Sequence, residues 1–295
     1  MNQRFKASGF FFRAAFATLS LVHLAFFIQA PQVLACTAWA AIGPGPDGDV
    51  LIAKIRDEDP EQTQEIKAFH PKDGHAYFGL VGIKDGNRRF VAGINEKGLS
   101  IVSLNASSVP EEERTQGGGP GVGSMGQRVL RTCSDLAEVE ARAKELFSGS
   151  RPRFYLLADR TRAAWLEIAP GGRFKLNPVA AGVTAHTNHY LAPAFEADNV
   201  KRTSSSRARL ARIDELLAAH ACPFSLEEFK RFSRDRQAGP DNSLFRTGAK
   251  TRTIAVFLAR IPKNGAPPFV SIELFTPGQE GVAVSGVLPD LLREP

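Results

Sequence analysis

The chain has 295 residues, of which 43% are hydrophobic, and its formal net charge is +6. A chain of this size can bury a substantial core as one domain. Its basic residues form no run with interleaved aromatic side chains, so a nucleic-acid ligand is not expected.

The first 35 residues have the composition of an export signal. Their only charged residues are Arg4, Lys6 and Arg13. An apolar run over 14–28 follows, and Val33 and Ala35 occupy the small-residue positions before the expected cut. The run is shorter than the ~20 residues that a membrane-spanning helix needs, which favours a cleaved signal peptide over a membrane anchor. We therefore predict a signal peptide at 1–35, export to the periplasm or extracellular space, and a single domain at 36–295.

The rest of the chain alternates between strand-like and helix-like segments. Short apolar or alternating segments bounded by turn residues predict strands at 36–42, 50–55, 77–83, 89–94, 99–104, 153–158, 163–169, 173–179, 182–188, 251–261 and 269–275. Apolar faces with helical spacing predict helices at 127–147, 204–219 and 226–234. The region after Pro277 is weakly patterned and is expected to form a surface tail. This order indicates an α+β fold in which antiparallel sheets pack on each other and helices lie outside.

Three cysteines follow the expected cut: Cys36, Cys133 and Cys222. An odd number in an exported protein indicates a free thiol or an intermolecular disulfide. Cys133 and Cys222 fit either a disulfide or two buried small hydrophobic residues, and the sequence leaves both alternatives open. His186 and His189 have no accompanying carboxylate or thiolate motif, so a metal site is not expected.

The residue that the cut would expose is Cys36. A cut after Ala35 would give this residue both a thiol and a free α-amine. An α-amine has a reference pKa near ~7.7–8.0 and a thiol one near ~8.5, so the amine can act as the base for the thiol near neutral pH. This pairing predicts acyl transfer through attack of the Cys36 sulfur on an amide carbonyl. Such a reaction also needs donors for the oxyanion, and side-chain amides can supply them.

Six segments then carry a resemblance to a known family. In chain order they read CTAWAAI, AKIRDEDP, AGINEKGLSIVSLN, AHTNHY, SSSRARLARIDELL and DNSLFRTG. This series resembles the Ntn hydrolases of the choloylglycine hydrolase and penicillin V acylase type, and more closely the acyl-CoA:6-aminopenicillanic acid acyltransferase (peptidase C45-like) group. The resemblance implies a four-layer αββα sandwich and a hydrolase of linear amide C–N bonds without a cofactor. It also implies a small-molecule N-acyl amide or peptide-like substrate.

The resemblance also implies roles for single residues. The residues that match catalytic positions of the family are Cys36 as the nucleophile, Asp57 as the residue that holds the α-amine, Asn105 as an oxyanion-hole residue, Asn188 as a second asparagine near the nucleophile, and Arg207 as the arginine that orders the site. The choloylglycine group has an arginine three residues before the aspartate, and this chain departs from that pattern. Lys54 is found at that position, and Arg56, which directly precedes Asp57, is the other candidate for this supporting role.

Two alternatives to amide hydrolysis remain open. An acyltransferase would pass the acyl group from Cys36 to an amine rather than to water. A lipoprotein would carry a lipid on Cys36, because VLAC resembles a bacterial lipobox, and the chain would then be a membrane-tethered binding module. The sequence does not decide whether the chain forms a homo-oligomer.

Overall fold

The computed structural model describes residues 35–43, 48–117, 125–220, 223–276, 278 and 280–293. They belong to one compact unit, Gln32–Pro295. The predicted signal peptide lies outside the described residues except for Ala35. Among the described residues, no helix is long and apolar enough to cross a membrane.

In the described ranges, thirteen strands form two antiparallel sheets. The strands are β1 (Ala35–Ile42), β2 (Val50–Glu58), β3 (Thr63–Phe69), β4 (Tyr77–Lys84), β5 (Asn87–Asn95), β6 (Ser100–Asn105), β7 (Arg153–Ala158), β8 (Ala163–Ile168), β9 (Phe174–Val179), β10 (Gly182–His186), β11 (Arg252–Ile261), β12 (Phe269–Leu274) and β13 (Val282–Val287). The six-stranded sheet has the order β10-β1-β2-β11-β12-β13, and the seven-stranded sheet has the order β3-β4-β5-β6-β7-β8-β9.

The described helices lie between and after these strands. They are α1 (Glu111–Thr115), α2 (Met125–Thr132), α3 (Leu136–Ala141), α4 (Ala143–Phe147), α5 (Ser204–Ala218), α6 (Leu226–Phe232), α7 (Gly239–Asn242) and α8 (Leu288–Leu291), with short 3-10 turns at Pro170–Gly172 and Pro193–Asp198. The predicted helix at 127–147 is thus divided into three. Asp135 causes the first division, because its side chain accepts a hydrogen bond from the Glu138 backbone nitrogen and caps α3.

Three apolar clusters define four layers. The largest lies between the sheets and includes Ile52 and Phe257 from one sheet with Phe78 and Phe154 from the other. A second cluster joins the outer face of the seven-stranded sheet to α2, α3 and α4. A third joins the outer face of the six-stranded sheet to α5 and α6. The layers are therefore helix, sheet, sheet and helix, and the predicted α+β sandwich is confirmed.

Strand β1 lies inside the six-stranded sheet, and all eight of its residues are buried. It pairs with β2 on one side and with β10 on the other. A strand buried on both faces reads as a continuous apolar run, as in ACTAWAAI. The predicted hairpin of β1 and β2 is present, and it holds Cys36 opposite Arg56.

Two details of the strands and helices differ from the sequence-based expectations. The polar strand β3 was not predicted, and the region after Pro277 contains β13 and α8 rather than only a surface tail. Both unpredicted strands lie at sheet edges, where a strand is half-exposed and its apolar pattern is weak. Cys133 is a free, buried thiol, whereas Cys222 lies outside the described residues.

Candidate active site

Cys36 and Lys54 meet on the inner face of the β1–β2 hairpin. Lys54 lies opposite Ala38, so its side chain shares a face with that of Cys36. Lys54 is hydrogen-bonded to the Cys36 thiol, and both side chains are buried. Burial lowers the pKa of Lys54, while the nearby thiol acts in the opposite direction. The sulfur therefore has the Lys54 amine in direct contact.

Arg56 lies directly opposite Cys36, and its guanidinium is also buried. Its two terminal nitrogens donate to the side-chain oxygens of Gln64 at 2.6 Å and Gln62 at 2.8 Å. Burial lowers the pKa of Arg56, and interactions with Glu58 and Cys36 oppose this change. In these two contacts the guanidinium is therefore bound by neutral amide oxygens, which do not neutralise its charge.

Asn188 links three segments around Cys36. Its Oδ1 atom accepts a hydrogen bond from the Cys36 backbone nitrogen at 2.8 Å. Its Nδ2 atom donates to the backbone oxygen of Asn105, also at 2.8 Å. The backbone oxygen of Asn188 accepts from the Ser108 nitrogen. The first strand of one sheet is thereby joined to the end of β6 in the other sheet.

Arg209 on α5 completes this network. Its Nη1 atom donates to the Cys36 carbonyl oxygen at 2.6 Å and to Thr37 Oγ1 at 2.7 Å. Its Nη2 atom donates to Asn188 Oδ1 at 2.9 Å. Burial lowers the pKa of Arg209 to about 10, and Asp57 opposes the shift. The guanidinium therefore stays protonated at neutral pH. It holds the Cys36 carbonyl directly and the Cys36 nitrogen through Asn188.

The arginine predicted for this role, Arg207, does not join the network. It lies on the exposed face of α5, two residues before Arg209. The buried residues of α5 are Ser206, Arg209, Ile213 and Leu217. Their spacing of three and four residues defines the face that contacts the sheet. An arginine on the same face as Ile213 and Leu217 was the sequence signal for Arg209. Arg209, and not Arg207, is the arginine of α5 that contacts Cys36.

A second set of hydrogen bonds holds the loop that carries Asn188. The Ser206 hydroxyl accepts from the Asn188 backbone nitrogen at 3.0 Å and contacts His189 Nδ1 at 2.8 Å. His186, at the end of β10, contacts Glu167 at 2.7 Å. Glu167 also accepts hydrogen bonds from the backbone nitrogens of Leu191 and Ala192. The positions of both ends of the loop are thus fixed by buried polar contacts.

Asp57 lies on the other face of β2, opposite Ala35. Its Oδ1 atom accepts a hydrogen bond from Thr253 Oγ1 at 2.7 Å. Its Oδ2 atom is buried and has no hydrogen-bond partner within the described part of the chain. Burial raises the pKa of Asp57, while Arg209 and Arg246 act against the rise. An unpartnered buried carboxylate oxygen is unusual, because such a group normally has a hydrogen-bond donor.

Arg246 is a further residue that the sequence analysis did not assign. It lies in the DNSLFRTG segment, and its side chain is buried. Its Nε and Nη1 atoms have no partner in the described ranges. Its backbone nitrogen donates to the same Thr253 hydroxyl that contacts Asp57. Arg246 and Thr253 come together with Asp57 only through the fold, because they are almost 200 residues away from it along the chain.

A cavity of about 560 Å³ reaches this region. Arg56 and Asn105 are among its lining residues, so it approaches Cys36 from the side of its strand partner. The Asn105 side chain is half-buried and makes no hydrogen bond to any described residue. Its amide is therefore available to a molecule in the cavity. The described residues contain no group of three or more His, Cys, Asp or Glu side chains arranged for a metal ion.

The geometry brings together most of the residues that the resemblance singled out. Cys36, Asn188 and the Asn105 backbone form one hydrogen-bonded set, and Lys54 contacts the Cys36 thiol. Asp57 lies one position from Cys36 in the pairing of the two strands. A thiol beside the Lys54 amine, with the Asn105 amide donor on a nearby cavity, can form and stabilise a tetrahedral oxyanion.

Comparisons with known proteins give a consistent result. The family model described as acyl-coenzyme A:6-aminopenicillanic acid acyl-transferase matches residues 44–266. No curated protein sequence matches the chain.

Solved structures provide a comparison of the fold. Two variants of the conjugated bile acid hydrolase from Clostridium perfringens have TM-scores of 0.54 and 0.56 at 14% and 15% identity, and each comparison covers 88% of this chain and 95% of that chain. The Caenorhabditis elegans ortholog of N-acylethanolamine-hydrolyzing acid amidase has a TM-score of 0.49 at 12% identity, over 76% of this chain and 92% of that chain. At this identity, the likeness to the bile acid hydrolase shows a common Ntn-hydrolase fold.

Proposed function

Because the chain belongs to the acyl-coenzyme A:6-aminopenicillanic acid acyl-transferase family of Ntn enzymes, we propose that its Cys36 becomes an N-terminal nucleophile that hydrolyses linear amides. The chain is an enzyme of the amide-hydrolase or acyltransferase type. Cleavage after Ala35 creates the active form, and water is the acceptor of the acyl group. A small-molecule N-acyl amide or peptide-like compound is the proposed substrate.

The environment of the Cys36 backbone nitrogen carries this proposal. The nitrogen already donates to Asn188 Oδ1, and Asp57 lies opposite the residue that would be removed. Loss of Ala35 would convert the amide nitrogen into an amine, which has more hydrogens to donate. The Asp57 Oδ2 atom, which has no partner among the described residues, is the acceptor we assign to one of them. An amine held in this way would direct its lone pair for proton transfer.

The first half of the reaction forms an acyl-enzyme. The Cys36 thiol gives its proton to the α-amine, and the sulfur attacks the amide carbonyl carbon. The tetrahedral oxyanion forms within reach of the Asn105 side chain, which we assign as a donor. The carbon–nitrogen bond then breaks, and the α-ammonium returns the proton to the leaving amine. An acyl-thioester on Cys36 remains.

The second half of the reaction releases the acid. Water loses a proton to the α-amine and attacks the thioester carbonyl. The carbon–sulfur bond breaks, a carboxylic acid leaves, and the thiol is restored with the proton from the α-ammonium. In both halves, the Lys54 amine donates a hydrogen bond to the sulfur whenever the sulfur carries negative charge. Arg209 holds the Cys36 carbonyl and Asn188 in place, which makes it a positioning residue.

A panel of N-acyl amides and short peptides tests the proposal. Expression of the full chain and of its Cys36→Ser variant supplies the two proteins, and mass spectrometry follows the release of amine and acid. We expect release by the parent protein and a loss of at least about 100-fold in the variant, because a hydroxyl is a far weaker nucleophile at neutral pH. Equal turnover by both proteins would remove Cys36 from the reaction.

Transfer to an amine is the second candidate, and the description of the matching family favours it. Both reactions share the acyl-thioester, so only the fate of that intermediate separates them. A labelled acyl donor is incubated with and without a competing amine. Accumulation of labelled amide in proportion to the amine supports transfer, whereas constant release of labelled acid supports hydrolysis.

A further inference from the structure

The cavity lined by Arg56 and Asn105 has a strong excess of positive charge. Seven of its lining side chains are cationic and three are anionic. The whole chain, by contrast, has 37 basic and 31 acidic residues. The cations are therefore concentrated at this surface far beyond their average frequency. A concave surface of one sign attracts ligands of the opposite sign and raises their local concentration.

Few of these cations are neutralised by the protein. Arg88 forms an ion pair with Glu65. Within the described residues, Arg89, Arg114 and Arg153 have neither an ion pair nor a hydrogen bond from the side chain to another residue. Arg114 and Arg153 are half-buried, and Arg89 is exposed. Three guanidinium groups thus line one cavity without a partner in the part of the chain that the structure describes.

The position of the cavity relates this charge to the reacting group. Arg56 lines the cavity and lies opposite Cys36 in the β1–β2 pair. Asn105 also lines it, and its strand partner is Arg153. The three unpartnered arginines therefore line the same cavity as Asn105 and Arg56. Asn105 carries the amide donor, and Arg56 is the strand partner of Cys36. The volume of about 560 Å³ lies within the range of small-molecule sites.

We propose that this cavity binds an anionic group of the substrate, either a carboxylate or a phosphate. This proposal rests on the proposed function, because it assigns the ligand's other end to the amide that Cys36 attacks. Guanidinium groups bind carboxylate and phosphate oxygens through paired, charge-assisted hydrogen bonds. A neutral ligand of the same shape would desolvate these arginines without supplying acceptors of equal strength. The enzyme therefore selects N-acyl amides that carry a negative charge.

Equilibrium binding to the Cys36→Ala protein tests the selection without turnover. Expression of the full chain supplies this protein. The probes share one acyl group: N-hexanoylglycine carries a carboxylate, the O-phosphate of N-hexanoylethanolamine carries a phosphate, and N-hexanoylethanolamine is neutral. Calorimetry should show at least about tenfold tighter binding of one or both anions than of the neutral probe. The ratio of the two anions identifies which group the cavity prefers.

Variants at the cavity locate the effect. Arg89→Gln and Arg153→Gln should each reduce the affinity for the anionic probe by about tenfold and leave the affinity for the neutral probe unchanged. Lys175→Gln, which removes an exposed charge from β9 outside the cavity lining, is the matched control and should alter neither affinity. Equal affinities of the three probes overturn the proposal, and so does the absence of detectable binding by all three. So does an anion preference that survives both arginine substitutions.

These outcomes differ from those that test the reaction. Equal binding of charged and neutral probes, together with Cys36-dependent turnover of neutral amides by the parent protein, contradicts the anionic site alone. Anion-selective binding without an acyl-thioester on Cys36 in the parent protein contradicts the proposed reaction alone.

Discussion

The Oδ1 atom of Asn188 lies 2.8 Å from the backbone nitrogen of Cys36, although 152 positions separate the two residues along the chain. This contact joins the start of β1 to the loop that follows β10. It fixes the nitrogen that would become the α-amine of a mature chain. The Cys36 nitrogen is therefore oriented by the fold before any cleavage takes place, and removal of Ala35 would alter its chemistry without requiring a rearrangement.

Asn105→Ala should reduce kcat without a comparable loss of stability. Its side-chain amide is unpartnered among the described residues and lines the cavity. Removal of one oxyanion donor typically costs about 10²–10³ in rate, or roughly 2.7–4 kcal/mol of transition-state stabilisation. Steady-state kinetics of the variant provide the test, with its thermal melting measured alongside. A native kcat in a normally melting variant would exclude this role.

Asn95→Ala is the matched control for Asn105. The Asn95 side chain donates to two backbone oxygens and accepts from two backbone nitrogens, all within the turn and helix region around it. Its loss leaves buried groups unsatisfied and should lower the free energy of unfolding by about 1–3 kcal/mol. Its kcat at a temperature where it is folded should remain close to that of the parent protein.

Arg209 and Arg207 form a test pair on one helix. Arg209→Gln removes a buried cation that holds Cys36, Thr37 and Asn188. Breaking a buried network of this kind costs about 3–5 kcal/mol, and turnover should fall as well. Arg207→Gln changes an exposed side chain and should stay within about 0.5 kcal/mol. Urea unfolding measures both. Equal effects, or the reverse order, would contradict the assignment of Arg209.

Gly82→Ala should act through Arg56. A Cβ atom at this position would lie 2.3 Å from the terminal nitrogen Nη2 of Arg56. The guanidinium would have to move away from Gln62 and Gln64, while the backbone could remain in place. We expect kcat/KM to fall by roughly tenfold, which corresponds to about 1.4 kcal/mol.

A double-mutant cycle isolates this contact. In an Arg56→Ala background, the clashing group is absent, so Gly82→Ala should have almost no further effect on kcat/KM. If the glycine substitution has the same effect in both backgrounds, the change does not operate through the guanidinium.

Because of His189, the residue after Asn188, we expect the folded protein to lose stability in acid. Burial is the main cause that lowers the pKa of His189 to about 4. In the unfolded chain its pKa is near ~6.5. Between these values the unfolded state binds a proton that the folded state does not. The contribution of His189 to the free energy of unfolding is therefore fully present above pH ~6.5 and is lost as the pH falls to about 4.

His189→Gln should reduce this pH dependence. The free energy of unfolding, measured by urea between pH 7 and pH 4.5, should fall less steeply in the variant than in the parent protein. His70→Gln, which changes an exposed histidine, should retain the parent slope. Parallel curves for the parent protein and His189→Gln would contradict the assigned effect.

Interior strands could be predicted from the sequence because each forms a short apolar or alternating segment between turn residues. The turn at Asp85 and Gly86 illustrates this: both residues have positive φ, as the tight hairpin suggested by KDGN requires. The edge strands β3 and β13 lack such a pattern, since only part of each is buried. Their positions follow from pairing with a neighbouring strand, which a local pattern does not encode.

The site likewise contains residues that the local sequence predicts and residues that only the fold brings together. The position of Cys36 and its alternation with strand partners follow from local sequence, and Lys54 and Arg56 were both named. Which of them touches the sulfur depends on the register of β1 and β2, and the structure assigns that contact to Lys54. The partners of Asp57 come from β11 and the segment before it, and no local spacing indicates such long-range contacts.

The mass of the N-terminal peptide of active protein, recovered after expression of the full chain, tests the central claim most directly. The account predicts a peptide that begins Cys-Thr-Ala-Trp at Cys36, with a free α-amine and a free thiol. It also predicts that the thiol of this peptide is alkylated by limiting iodoacetamide in proportion to the loss of turnover. A different first residue with turnover retained, or a lipid on Cys36, would contradict it.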